Sequence, residues 1–115
     1  KDNDGNLVIE RDGLVYKYSS LGKLLYEQVL GGEIEYYYDD NLLIKIISTV
    51  DSQQRITYFV NEQPSEQHLY ENEILKSITH FYEGGNMQEI YSDDRLIAVV
   101  YYRKDNYTVD RIEYK

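Results

Sequence analysis

Apolar and polar residues alternate from Glu33 to Tyr38, where Ile34, Tyr36 and Tyr38 stand against Glu33, Glu35 and Tyr37. That period of two is what a half-buried β-strand produces. Leu42–Ile47 and Leu96–Tyr102 are apolar at both parities, which predicts strands covered on both faces. Between the apolar stretches, turn signals recur about every nine to twelve residues. They are Asp12-Gly13, Leu21-Gly22, Gly31-Gly32, Asp40-Asn41, Gln53-Gln54, Asn61-Glu62, Asn72-Glu73, Gly84-Gly85, Asp93-Asp94 and Asp105-Asn106. Gly, Asn and Asp tolerate the positive φ of a tight antiparallel reversal, so these signals predict consecutive β-hairpins. The expected fold is all-β: one domain over residues 1–115, an antiparallel meander of about ten to eleven strands in hairpin repeats. As a single twisted or crescent sheet it would be about 50 Å wide at about 4.8 Å per strand. A closed barrel or two-layer sandwich is the alternative, and a homodimer or a partner would equally cover the doubly apolar strands. Pro64, the single proline, predicts a longer loop or a bulge in Asn61–Gln67, because it cannot donate to a central ladder.

The hairpins repeat. Tyr18, Tyr38, Tyr58, Tyr82 and Tyr102 follow one another at steps of 20, 20, 24 and 20 residues, a period of two strands and two turns. A shared turn grammar links Asp2-Asn3-Asp4-Gly5-Asn6-Leu7, Ser19-Ser20-Leu21-Gly22-Lys23-Leu24 and Asp51-Ser52-Gln53-Gln54-Arg55-Ile56. Tyr16-Lys17-Tyr18-Ser19-Ser20-Leu21-Gly22-Lys23-Leu24 and Tyr36-Tyr37-Tyr38-Asp39-Asp40-Asn41-Leu42-Leu43 resemble the YD repeat of bacterial RHS and wall-associated proteins. Later units depart from it: Tyr58-Phe59-Val60-Asn61 lacks the second Tyr, and the Asn72-Glu73 and Gly84-Gly85 turns lack the basic residue. The resemblance implies a setting: exported proteins whose repeats form shells around polymorphic toxins, or small immunity partners of such toxins. In neither group are the repeats catalytic. A chain of 115 residues is too short to close a toxin-sized shell, so a stand-alone binding sheet is expected. The chain begins with Lys1 rather than Met, so a fragment or processed form is expected; both the bacterial cytoplasm and an exported, cell-surface setting stay open.

Charge narrows the partner. With 21 acidic and 12 basic residues the formal net charge is −9, which disfavours nucleic acid and anionic lipid and favours a basic protein partner such as a toxin domain. No apolar run is long enough to span a bilayer. There is no cysteine, hence no disulfide, thiolate metal site or cysteine nucleophile. Fourteen tyrosines without tryptophan suit both cross-strand ladders and a recognition face. Consecutive aromatics on a strand place rings on both faces, so Tyr36, Tyr37 and Tyr38, and Tyr101 with Tyr102, are the candidate partner-binding rings. Asp39, Asp40, Asp93 and Asp94 are the candidate acidic contacts.

Candidate chemistry is thin, and no catalytic residue, metal site or cofactor is expected. An ideal two-residue turn at Asn72-Glu73 would set His68 opposite Ser77 and His80 opposite Ser65, while the Gly84-Gly85 hairpin would set His80 against Glu89, a cross-strand polar pair. No nucleophile elbow accompanies Ser, His and Asp. Asp2–Asn6 has its Gly two places too early for a calcium loop, so a polar turn is expected. Gly31-Gly32 and Gly84-Gly85 precede no helix and so do not cradle phosphate. The functional expectation is a non-enzymatic protein-binding domain, foremost an immunity protein that neutralises a cognate bacterial toxin by direct binding. A structural or adhesive repeat fragment of a secreted surface protein and a carbohydrate-binding module are the alternatives.

Overall fold

A computed structural model describes all 115 residues, Lys1–Lys115. Eleven strands follow in order: β1 (Leu7–Arg11), β2 (Leu14–Tyr18), β3 (Leu24–Val29), β4 (Gly32–Asp39), β5 (Leu42–Val50), β6 (Gln53–Val60), β7 (Gln63–Glu71), β8 (Ile74–His80), β9 (Met87–Ser92), β10 (Arg95–Tyr102) and β11 (Val109–Tyr114). They form one open antiparallel sheet in sequence order, with β1 and β11 as unpaired edges. The long dimension of 51 Å matches eleven strands side by side. The open-sheet expectation therefore holds; the barrel and the sandwich do not form.

The turns explain why the sequence folds this way. At Asp40-Asn41, Asn61-Glu62, Asn72-Glu73 and Asp93-Asp94 both central residues have positive φ, between 48° and 67°. That is the reversal whose twist matches the flanking strands. Leu21-Gly22, Gly84-Gly85 and Asp105-Asn106 fall inside connections of five or six residues rather than forming two-residue reversals, and two of the tight turns sit one or two residues earlier than expected. Leu30-Gly31 replaces Gly31-Gly32, because Gly32 lies in β4 so close to β5 that a Cβ there would stand 1.9 Å from the Thr49 carbonyl oxygen. Asp51-Ser52 replaces Gln53-Gln54, Asp51 itself taking φ 55°. The third instance of the shared turn grammar thus folds differently from the first two. In those, Gly5 and Gly22 donate to the carbonyls of Asp2 (3.1 Å) and Ser19 (2.9 Å), while Asp2 Oδ1 and Ser19 Oγ accept the amides of Asn6 and Lys23. Asp2–Asn6 is accordingly the polar turn expected.

Register shifts recur beside turns, at Tyr18, Tyr38, Tyr70 and Tyr102, between Leu96 and Ala98, and between Tyr58 and Phe59 opposite Pro64. The proline thus sits at a bulge after a tight Asn61-Glu62 turn, with no longer loop. Such bulges raise local twist.

No second layer covers the sheet, and only Ser77, Ala98 and Val99 are buried. The doubly apolar strands remain partly open: Leu42, Ile44 and Ile97 are 49%, 41% and 42% exposed. The expectation of cover on both sides therefore fails within this chain. Shielding is lateral instead. Val99 lies between Glu89 and Glu113, and Ala98 between Ile90 and Tyr114, longer neighbours that close over short side chains. Of 74 backbone hydrogen bonds, 62 lie within the strands, so the ladder rather than a core carries the fold.

Candidate functional site

Alternation along each strand and the observed register sort the side chains onto two faces. On one, a row runs straight across β4 to β11: Tyr37, Lys45, Tyr58, Glu66, His80, Met87, Tyr101 and Arg111. The next row carries Tyr26, Glu35, Ile47, Ile56, His68, Ile78, Glu89, Val99 and Glu113. A third, shorter row holds Gln28, Glu33, Thr49, Gln54 and Tyr70. We call this the acidic face.

Its side chains interlock. Lys45 Nζ stands 4.6 Å from the Tyr37 ring centroid, and the Arg111 guanidinium 3.8 Å from that of Tyr101. Tyr26 donates to Glu33 (3.0 Å), Tyr37 to Glu35 (2.9 Å) and Tyr91 to Glu89 (3.2 Å). These carboxylate neighbours push the Tyr26 and Tyr37 phenols above their usual pKa, since each hydrogen bond favours the protonated form. For Tyr91 partial burial is the larger cause, followed by the Glu89 charge.

At the centre, Glu66 lies 3.2 Å from His68 Nε2 and 3.5 Å from His80 Nδ1, while His80 Nε2 meets Glu89 Oε1 at 2.6 Å. Tyr58 packs edge-on against His68 and Tyr82 stacks on His80. His68 Nε2 is enclosed yet badly angled for a hydrogen bond to Glu66. The His80–Glu89 contact was expected, but its geometry is diagonal. His80 faces Met87 and Ile78 faces Glu89, because the connection spans Phe81–Asn86 rather than two residues. A bulge at Tyr70 likewise sets His68 opposite Ile78 instead of Ser77, and His80 opposite Glu66 instead of Ser65. Both His80 nitrogens are engaged by carboxylates, no nucleophile adjoins, and the face is open. No group of three or more metal-ligating side chains is placed to hold an ion.

Glu66 is the residue that sequence reasoning missed. Its signal was the spacing of Glu66 and His68, two apart and so on one face of a strand.

The third row borders two adjoining shallow hollows. One, of about 510 Å³, is lined by Thr49, Asp51, Ser52, Gln54, Tyr70, Asn72 and Glu73; the other includes Tyr26, Gln28 and Glu33 and shares Thr49 and Asp51 with the first. Carboxylates of Glu33, Asp51 and Glu73 line the pair, and no cation does.

The candidate partner-binding residues do not converge. Tyr37, 37% exposed, and Tyr101, beneath Arg111, share the acidic face. Tyr36, Tyr38 and Tyr102 point the other way, where their hydroxyls donate to Glu27, the Leu24 carbonyl (2.8 Å) and Gln88 (3.1 Å). Burial, then the bond to Glu27, drives the Tyr36 phenol far above its usual pKa, and burial raises Tyr38. Asp39 is the last residue of β4, paired with Leu42, Asp40 opens the β4–β5 turn, and Asp93 and Asp94 form the β9–β10 turn. In a meander those turns lie at opposite ends of the sheet. All four are exposed, and Asp40, Asp93 and Asp94 hold positive φ in their turns.

No family model matches the chain, and no curated protein matches it. A solved structure of similar fold is a point mutant of S. aureus TarM in complex with Fondaparinux, alpha-GlcNAc-glycerol and UDP. The TM-score is 0.62 at 12% identity, covering 96% of this chain and 20% of that one. The likeness is one of fold, and this chain spans about a fifth of that chain's length.

Proposed function

We propose that the chain is a non-enzymatic protein-binding domain that docks a basic partner on its acidic face, acting as an immunity protein that occludes a cognate bacterial toxin. The observation that carries this reading is the acidic face itself. It gathers Tyr26, Tyr37, Tyr58, Tyr70, Tyr91 and Tyr101 with Glu33, Glu35, Glu66 and Glu89 on an open surface. Every salt bridge of the chain lies in the histidine cluster or around β11, which leaves Glu33, Glu35 and Asp51 free of ion pairs. Unpaired carboxylates speed encounter with a basic surface, and the rigid rings supply lasting contact. The test is a pull-down with the product of a neighbouring toxin-like gene at low and high salt. Combined Glu33→Lys, Glu35→Lys and Asp51→Lys is expected to abolish capture. Reversal of Asp39, Asp40, Asp93 and Asp94 has a smaller effect, because those turns sit at opposite ends. Capture indifferent both to salt and to the first set refutes the docking face.

A carbohydrate-binding module is the second reading. The twin hollows favour it, since Tyr26 and Tyr70 flank amide and hydroxyl side chains suited to sugar hydroxyls. A glycan array discriminates the two.

A further inference from the structure

Glu66 and Glu89, at the centre of the acidic face, contact no lysine or arginine; their ion-pair partners are His68 and His80 alone. Around His80 stand Glu66 across on β7, Glu89 diagonally across on β9 with Tyr91 donating to it, and the stacked Tyr82 ring. His68 has Glu66 beside it on β7, Tyr58 edge-on from β6, and Ile56 and Ile78 directly across. The nearest cations in that row, Lys45 and Arg111, lie over the rings of Tyr37 and Tyr101.

We propose that the quartet Glu66, His68, His80 and Glu89 is a proton-operated gate that loosens the hold of the acidic face on a basic partner as the medium turns acidic. The gate rests on the docking reading of that face. Histidine is the side chain whose charge ordinarily changes between pH 5 and 8. With neutral imidazoles the quartet carries two negative charges; with both rings protonated it carries none. The geometry is ready for the protons. A neutral imidazole donates from one nitrogen only, yet both His80 nitrogens meet carboxylates, at 3.5 Å and 2.6 Å. His68 Nε2, enclosed and without a hydrogen-bond partner, stands 3.2 Å from Glu66 Oε2. The three rows hold Glu33, Glu35, Glu66, Glu89 and Glu113 against Lys45 and Arg111, a balance of three negative charges that two imidazolium groups reduce to one. What is lost lies at the centre of the face, where a docked cation would otherwise feel it most.

The probe is decalysine, whose own side chains stay charged throughout this range. Calorimetric titration at low ionic strength should show binding about tenfold weaker at about pH 5.5 than at about pH 8, the effect of two added charges within reach of the ligand. His68→Gln combined with His80→Gln should shrink that difference to about twofold or less. The unaltered chain gives a second readout in the NMR signals of the imidazole Cε1–H protons. Coupling is reciprocal, so decalysine should move the titration of His68 and His80 to lower pH. Equal binding at both pH values overturns the gate, as do imidazole titrations that decalysine leaves in place, or a double variant, folded by circular dichroism, that keeps the tenfold difference. The docking reading is judged separately, by whether combined Glu33→Lys, Glu35→Lys and Asp51→Lys abolishes binding at about pH 8. No binding of decalysine at any pH overturns both.

Discussion

Glu62→Gly should stabilise this protein, and the backbone says by how much. Asn61 and Glu62 hold φ 51° and 61°, the left-handed pair of a tight hairpin turn, and the Glu62 side chain is exposed. An L-residue in that conformation costs about 1–2 kcal/mol, which glycine avoids. Glycine in turn gives the unfolded chain extra freedom that offsets about 0.5–1 kcal/mol. The balance is a gain of about 0.5–1 kcal/mol, or about 2–5 °C in melting temperature for a domain of this size. Urea unfolding followed by circular dichroism should show a higher midpoint at unchanged slope. Glu62→Ala removes the same charge from a chain of net charge −9 but keeps the strained φ. It should therefore gain nothing. If Ala matches Gly, charge relief rather than backbone conformation is responsible, and the account of the turns is wrong; a neutral or destabilised Glu62→Gly refutes it equally. The same change at Glu73 and Asp94 should add to the first, since the three turns share no contacts.

Two further outcomes follow from local geometry. Gly85→Ala should cost about 3 kcal/mol or more, because φ is +122° and a Cβ would stand 2.1 Å from the Tyr102 carbonyl oxygen. Gly84→Ala, with nothing within 4 Å, should be near neutral in the same melt. Alkali should unfold the sheet in a defined direction. The raised phenols of Tyr26, Tyr36, Tyr37, Tyr38 and Tyr91 stay protonated longer in the folded state than in the unfolded one. Their contribution is full below the ordinary tyrosine value of about 10 and is lost as pH rises through the folded values. Phenolate absorbance should therefore show a late group of tyrosines whose ionisation coincides with loss of the strand signal. Titration of all fourteen together, before any unfolding, contradicts it.

Much of the fold was legible because it is local. A strand pairs with its sequence neighbours, so turn residues and alternation suffice to count eleven strands and to order them. Pro64 announced its bulge for the same reason. What escaped was register. Bulges beside Tyr18, Tyr38, Tyr58, Tyr70 and Tyr102, and one at Ile97, each slip one strand against the next by a residue. Such slips decide which side chains meet, and they brought Glu66 between two histidines that sequence pairing had set against serines. The candidate site suffered likewise. Tyr36, Tyr37 and Tyr38 were rightly read as dividing between two faces, but the separation of Asp39 and Asp40 from Asp93 and Asp94 comes from counting turns along the meander.

By itself, then, the chain determined its strands, their reversals and their neighbour-to-neighbour order, because hydrogen bonding in a hairpin joins residues only a few places apart. Only the three-dimensional sheet decided that it stays open and a single layer thick, and that tyrosines and glutamates gather on one face while Tyr36 and Tyr38 turn to the other. Those properties depend on twist and register accumulated over eleven strands, and no single hairpin contains them.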